Sequence, residues 1–400
     1  MTFISFQLRI ILLYALLVLF GVIFGTSMFG MWSIASFSFN LSFIILLLIF
    51  FLYSKNYIDL LDFLCLSTLV ISLVCVMLNA VVGNISIGFE YLKKWMMFSF
   101  TILFFDLERK IYVDISKMFI FVKYMCIILS LLTIYKYFTG GVLNYMRGGI
   151  LTPDLKLNFE NSNKLALFLT SVFFMNMVCF FNEKKFLKKI ILLIFAGFMF
   201  YFILETNSRT CVMSIFLFVV LLFFFLQYKT SKLSFVVSFF ISFLPLLYAE
   251  IYLAFNKNPI ILDLFSFAES EGKSLDSRER IWNGALDKFY NSPILGAYNE
   301  LSGGTGVSQC HNTHVDILAS YGLISFILFT VFISLILNSV SLKSFEQKMY
   351  LSMFIALLCC GFGEAALYSG GMGLSISVGL FLLLAYSNVL PTVKIMKKNK

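Results

Sequence analysis

Residues 187–227 read LKKIILLIFAGFMFYFILETNSRTCVMSIFLFVVLLFFFLQ. Two apolar runs, near 187–204 and 210–227, flank the polar segment Glu205-Thr206-Asn207-Ser208-Arg209. Each run is close to the ~20 residues that a helix needs to cross the hydrocarbon of a bilayer. Neither alternates polar and apolar residues as a half-buried strand does. In hydrocarbon every backbone N–H and C=O needs an internal partner, which a helix supplies by itself. The stretch is therefore read as a helical hairpin turning at a membrane surface.

The same pattern recurs along the chain. Further runs lie near 8–28, 36–53, 63–82, 88–105, 117–138, 164–181, 233–255, 313–338, 349–368 and 371–390. The fold class expected is all-α, a polytopic transmembrane helical bundle of about twelve spans. Composition agrees: of 400 residues 60% are hydrophobic and 13% charged, with 50 Phe and a mean hydropathy of +0.94. Soluble domains carry roughly 45–50% apolar and about 25% charged residues, so a long soluble domain is excluded. The run from Leu8 to Phe24 is too long for a signal h-region and lacks a small-residue cleavage site, so it reads as a retained first span.

The net charge of +9 has a topological explanation. With the N-terminus cytoplasmic, the cytoplasmic loops and tail hold 17 of the 30 basic residues against seven acids, a surplus of ten, and all other residues sum to −1. That is the positive-inside bias for an even number of spans with both termini in the cytoplasm. No segment outside the spans interleaves basic and aromatic residues, so a nucleic-acid partner is not expected. Seven of the eight Cys fall in or beside apolar runs, and only Cys310 lies in a polar loop.

Two external loops are long, near 139–163 and 256–312. The chain thus divides into residues 1–255 with nine spans, the large external loop 256–312, and residues 313–400 with three spans and a basic cytoplasmic tail. Within the large loop Asp276 and Ser277 can cap a helix with an apolar stripe of Ile281, Trp282, Ala285, Leu286 and Phe289, ending before Asn291-Ser292-Pro293. Such a helix lies either on the outer membrane interface or on the tops of the spans.

Residues fit for chemistry are few. The only two histidines stand in Cys310-His311-Asn312-Thr313-His314, where the large loop enters the tenth span. Cys310, His311 and His314 invite a zinc reading, but no second ligand cluster accompanies them and no metal is expected. Arg209 opens the eighth span; arginine near hydrocarbon is costly, and a guanidinium can clamp phosphate bidentately. Snorkelling, or pairing with Glu205, is the competing reading. Arg278 and Arg280 lie in Ser277-Arg278-Glu279-Arg280-Ile281-Trp282; on a helix Arg278 shares the face of Trp282, whereas Arg280 points elsewhere and reads as a solvated charge. Lys93 and Lys94 fall inside an apolar run near its external end. Walker-type loops, CxxC pairs and His-Glu-x-x-His are absent.

Three segments in this order carry a resemblance: Thr206-Asn207-Ser208-Arg209-Thr210; Ser277-Arg278-Glu279-Arg280-Ile281-Trp282 with Pro293-Ile294-Leu295-Gly296 downstream; and His311-Asn312-Thr313-His314-Val315-Asp316-Ile317-Leu318-Ala319-Ser320-Tyr321-Gly322-Leu323-Ile324. Together they are similar to the O-antigen ligase and polymerase family. The resemblance implies a GT-C-like membrane glycosyltransferase that moves a glycan from undecaprenyl diphosphate to an acceptor at the periplasmic face of a bacterial inner membrane, without metal or cofactor. It implies that Arg209 and Arg278 hold the diphosphate and that His311 is the essential histidine. Arg280 and His314 lie outside the common pattern; with Asn312, Lys93 and Lys94 they are candidate substrate-binding residues. Expected partners are the lipid-linked oligosaccharide, an acceptor glycan or lipid, membrane lipid and a chain-length regulator.

The chemistry suits these residues. Cations stabilise a diphosphate leaving group where ATP and metal are absent, and imidazole is the side chain suited to accept a hydroxyl proton near neutral pH. The expected function is polymerisation of polysaccharide repeat units. Ligation of the finished glycan to lipid A-core is the alternative, and a flippase or transporter the second. Transporters usually show related halves with binding residues at the midplane, and this chain has no internal repeat.

Overall fold

The computed structural model describes residues 60–83, 124, 127–135, 138, 162–206, 208–255, 276–297 and 310–363. The expected spans near 8–28, 36–53, 88–105 and 371–390, most of 117–138, the loop near 139–163 apart from its last residues, Lys93 and Lys94 lie outside the described residues. Among the described residues the structure is helical: α1 (Leu60–Gly83), α2 (Ser162–Asn182), α3 (Phe186–Glu205), α4 (Arg209–Gln227), α5 (Phe235–Phe255), α6 (Asp276–Asn291), α7 (Thr313–Ser339) and α8 (Phe345–Cys360). Four of them, α3, α4, α5 and α7, are long and apolar enough to cross a membrane. The chain is a membrane protein whose described part is all-α.

The two helices of the quoted stretch form where the sequence indicates, α3 ending at Glu205 and α4 beginning at Arg209. Packing joins α2 to α3, α8 to α4, and α7 to both α5 and α1. The core helix is α8, buried from Met349 to Cys360 and opened by a capping box in which Ser344 and Gln347 exchange hydrogen bonds. Buried hydroxyls in the helices bond back to the carbonyl four residues earlier, as Thr68, Ser72, Thr170 and Ser352 do, so they enter an apolar interior with their donors satisfied.

One end of the bundle collects lysines. The loops 183–185, 228–234 and 340–344 meet there: Asn182 donates to the Tyr350 hydroxyl at 3.0 Å, Leu342 N donates to the Ser231 carbonyl at 2.8 Å, and Lys348 Nζ donates to the Tyr228 carbonyl at 3.2 Å. Lys184, Lys185, Lys188, Lys229, Lys232 and Lys343 are exposed around these loops. The opposite end gathers the α3–α4 turn, α6, residues 310–312 and the turn Gly361–Gly363.

Two expected spans differ from the reading of the sequence. The helix expected over 349–368 ends at Cys360, because Gly361 packs against Thr313: a Cβ there would meet the Leu358 carbonyl at 2.8 Å and Thr313 Oγ1 at 3.0 Å. Its length, roughly 24 Å at ~1.5 Å per residue, falls short of a hydrocarbon core of ~30 Å. The second difference concerns the tenth span. Gly322, at φ 80° and ψ 178°, is not helical, and α7 folds back there into arms 313–321 and 323–339. His314 and Phe329 would stand ~22 Å apart on a continuous helix, yet their ring centroids are 5.6 Å apart. Ser242 likewise meets His314 on one arm and Ser334 on the other.

Candidate functional site

The corner of α7 explains two of the sequence motifs at once. Gly322 and Gly296 both have positive φ, 80° and 73°, and their backbones are in direct contact. A Cβ on Gly296 would lie 2.6 Å from Gly322 N, and one on Gly322 would overlap the Ile294 carbonyl. Leu323 N donates to the Pro293 carbonyl at 2.8 Å and Ala297 N to the Ala319 carbonyl at 2.6 Å. Pro293–Gly296 is a strap over the Tyr321-Gly322-Leu323 corner, and only glycine lets the two chains approach so closely.

The first arm of α7 begins inside the bundle. Asn312, 0% exposed, caps it by accepting from His314 N at 3.0 Å and Val315 N at 3.1 Å. Its amide donates to the Pro245 carbonyl at 2.8 Å and the Phe362 carbonyl at 3.3 Å. Pro245 is the middle residue of α5, ten positions from either end. The side chain of Asn312 is thus committed to holding three segments together. It was a candidate for substrate contact; its four hydrogen bonds are instead all to backbone.

His311, next to it, is half-buried with φ 50°. That left-handed conformation costs a non-glycine residue roughly 1–2 kcal/mol and concentrates at functional sites. Both flanks of His311 are fixed. On one side Asn312 is buried as described; on the other the Cys310 carbonyl accepts from Trp282 Nε1 at 2.6 Å. Trp282, 0% exposed, sits edge-on to Tyr248 and Tyr252 of α5. The apolar stripe of α6 therefore packs on the spans rather than lying on the membrane interface.

Cys310 lies in the loop before α7, as the sequence indicates, and is itself buried there. Desolvation pushes its thiol well above the ordinary range, and the Asp316 carboxylate beside it pushes in the same direction. His314, 0% exposed, turns its ring toward the Ser242 carbonyl and the rings of Phe326 and Phe329. Cys310, His311 and His314 do not converge as zinc ligands would: among the described residues no three His, Cys, Asp or Glu side chains do.

The arginine motifs meet at the turn after α8. A Cβ on Gly363 would stand 2.6 Å from Thr210 Oγ1, 3.1 Å from Arg278 Nη1 and 3.4 Å from Arg278 Nη2. The guanidinium of Arg278 and the hydroxyl of Thr210, neighbour of Arg209, therefore converge on one point of backbone, as α6 and the N-terminus of α4 come together. Phe362, one residue away, supplies the carbonyl that holds Asn312; its ring stacks on Tyr248 at 5.2 Å. Gly361 accepts from Thr313 N at 3.0 Å. All three motifs of the sequence thus border Gly361–Gly363. Arg209 is exposed as the first residue of α4, where the dipole of the helix adds positive potential. Arg280 is exposed as well.

The sequence alone did not single out Thr210, Pro245, Ser242 or Gly363. A proline at the centre of an apolar run was the one visible signal, since it frees backbone acceptors that a partner must satisfy.

No curated protein and no solved structure matches the chain. Residues 194–330 are similar to the family model described as O-antigen ligase; that segment runs from α3 through the strap to the second arm of α7 and encloses Arg209, Arg278 and His311.

Proposed function

We propose that the chain is a glycosyltransferase that polymerises surface-polysaccharide repeat units, moving the growing glycan from undecaprenyl diphosphate to a lipid-linked repeat unit at the outer face of a bacterial inner membrane. The observation that carries the reading is the convergence of Arg278 and Thr210 on Gly363, a turn whose neighbouring carbonyl holds the residue next to His311.

In this reading the diphosphate of the donor lies against Arg278, the Thr210 hydroxyl and the N-terminus of α4, with Arg209 at its rim. The acceptor hydroxyl gives its proton to the ring of His311 as its oxygen attacks the anomeric carbon. The bond from that carbon to the phosphate oxygen breaks, and undecaprenyl diphosphate leaves with its charge stabilised by the guanidinium groups. Attack opposite the leaving group inverts the anomeric centre, and no metal takes part. Lysines at the opposite end of the bundle mark the cytoplasmic side.

Purified protein should elongate a lipid-diphosphate oligosaccharide without ATP. H311A and R278A should each abolish elongation while the protein remains folded; retained elongation in both overturns the site. A second reading, transfer of the finished glycan to lipid A-core, is favoured by the description of the matching family model. Deleting the gene separates the two. Loss of a polymerase leaves core bearing a single repeat, and loss of a ligase leaves bare core with lipid-linked polymer.

A further inference from the structure

Asn312 and His314 reach the same interrupted turn of α5. Pro245 has no N–H, so the turn from Ile241 to Pro245 lacks a helical donor and is the deformable point of that helix. Asn312 binds the Pro245 carbonyl, and His314 Nε2 binds the Ser242 carbonyl. A carbonyl only accepts, so Nε2 carries the proton and Nδ1 is the bare nitrogen. That nitrogen is buried and has no hydrogen-bond partner among the described residues. The ring is 0% exposed, held edge-on by Phe326 at 5.7 Å and Phe329 at 5.6 Å. Its one described polar contact is backbone.

We propose that His314 is a positioning residue: it pins the first arm of α7 to the proline turn of α5 and so keeps His311 in its left-handed conformation. The proposal rests on His311 being the base of the proposed reaction. A residue at φ 50° relaxes once its flanks can rotate. The Cys310 flank is fixed by Trp282. The other flank is tied to the Gly361–Gly363 turn by Asn312 and Thr313 but to α5 at one point only, the Pro245 carbonyl; His314, one half-turn further on, supplies the second attachment to α5.

The test compares H314F and H314Q in the full-length protein purified in detergent, with lipid-diphosphate oligosaccharide as substrate. H314F keeps a ring among Phe326 and Phe329 and removes the donor. Its kcat should fall by the order of 10²-fold, the effect of misplacing a catalytic group by about 1 Å, with KM for the donor unchanged. H314Q, whose amide still reaches the Ser242 carbonyl, should stay within about tenfold of the parent. Should H314F fail to fold, H314M, flexible and without a donor, takes its place with the same expectation. Parental kcat in the donor-less variant overturns the proposal, as does a raised KM with unchanged kcat, which makes His314 a substrate contact. H311A in the same assay separates the two levels. If H311A is active, the base assignment itself has failed. If H311A is inactive and H314F is parental, the positioning role alone has failed.

Discussion

The indole nitrogen of Trp282 donates to the carbonyl of Cys310 at 2.6 Å, which makes the helix carrying Arg278 and the turn carrying His311 one mechanical unit. Trp282→Phe keeps the aromatic packing against Tyr248 and Tyr252 and leaves that buried carbonyl without its donor. A cost of about 1–3 kcal/mol follows, and because the strained turn at His311 loses one of its two flanking anchors, turnover should fall by about tenfold or more. Thermal unfolding in detergent and initial rates of elongation check both effects; a variant with parental turnover separates the two elements.

Arg278 approaches Gly363 because position 363 has no Cβ. Gly363→Ala would press a methyl against Thr210 Oγ1 and Arg278 Nη1, so the guanidinium must shift. Activity is expected to fall by roughly tenfold, chiefly as a higher KM for the lipid-diphosphate donor. Arg278→Lys should be worse than that alanine substitution, since an ammonium cannot present the planar pair of donors. Steady-state kinetics of the two variants side by side decide the order.

Gly322→Ala and Gly296→Ala should destabilise the protein whatever they do to catalysis. The left-handed backbone costs each about 1–2 kcal/mol, and the added carbon overlaps backbone of the facing segment. Because the two glycines touch, their effects should not add. Melting temperatures of the singles and the double provide the measurement; additive losses would show that the strap and the corner are not in contact.

The Cys310 thiol is raised well above its ordinary value of 9.0 by burial, with Asp316 adding to it. Since the folded-state pKa exceeds the unfolded one, the neutral thiol contributes stability that is complete below pH 9.0 and is lost as pH rises toward the folded-state value. Maleimide should label Cys310 slowly in the folded protein near pH 8 and readily after denaturation. In Cys310→Ser the alkaline loss of stability should shrink. Rapid labelling of folded protein would place the thiol at the surface.

Much of the architecture was legible because membrane spans announce themselves by length and apolarity, as α3, α4 and α5 do. The site was legible in part. Arg209, Arg278 and His311 stood out as costly polar residues in an apolar chain, and the order of their motifs carried the family resemblance. The break in α7 was not legible: residues 313–338 are long and apolar enough for one span, and a single glycine does not by itself declare a fold-back. Nor did the sequence tell which histidine is fully buried, since His311 and His314 share the same local pattern.

By itself, then, the sequence determined a helical membrane protein and the residue types available for chemistry, because hydrophobic length and the rarity of charge in hydrocarbon are local properties. Tertiary structure decided the rest. Contacts between segments far apart in the chain put Gly296 on Gly322, Asn312 on Pro245 and Arg278 on Gly363, and they alone bury His314 inside the bundle while leaving His311 half-buried.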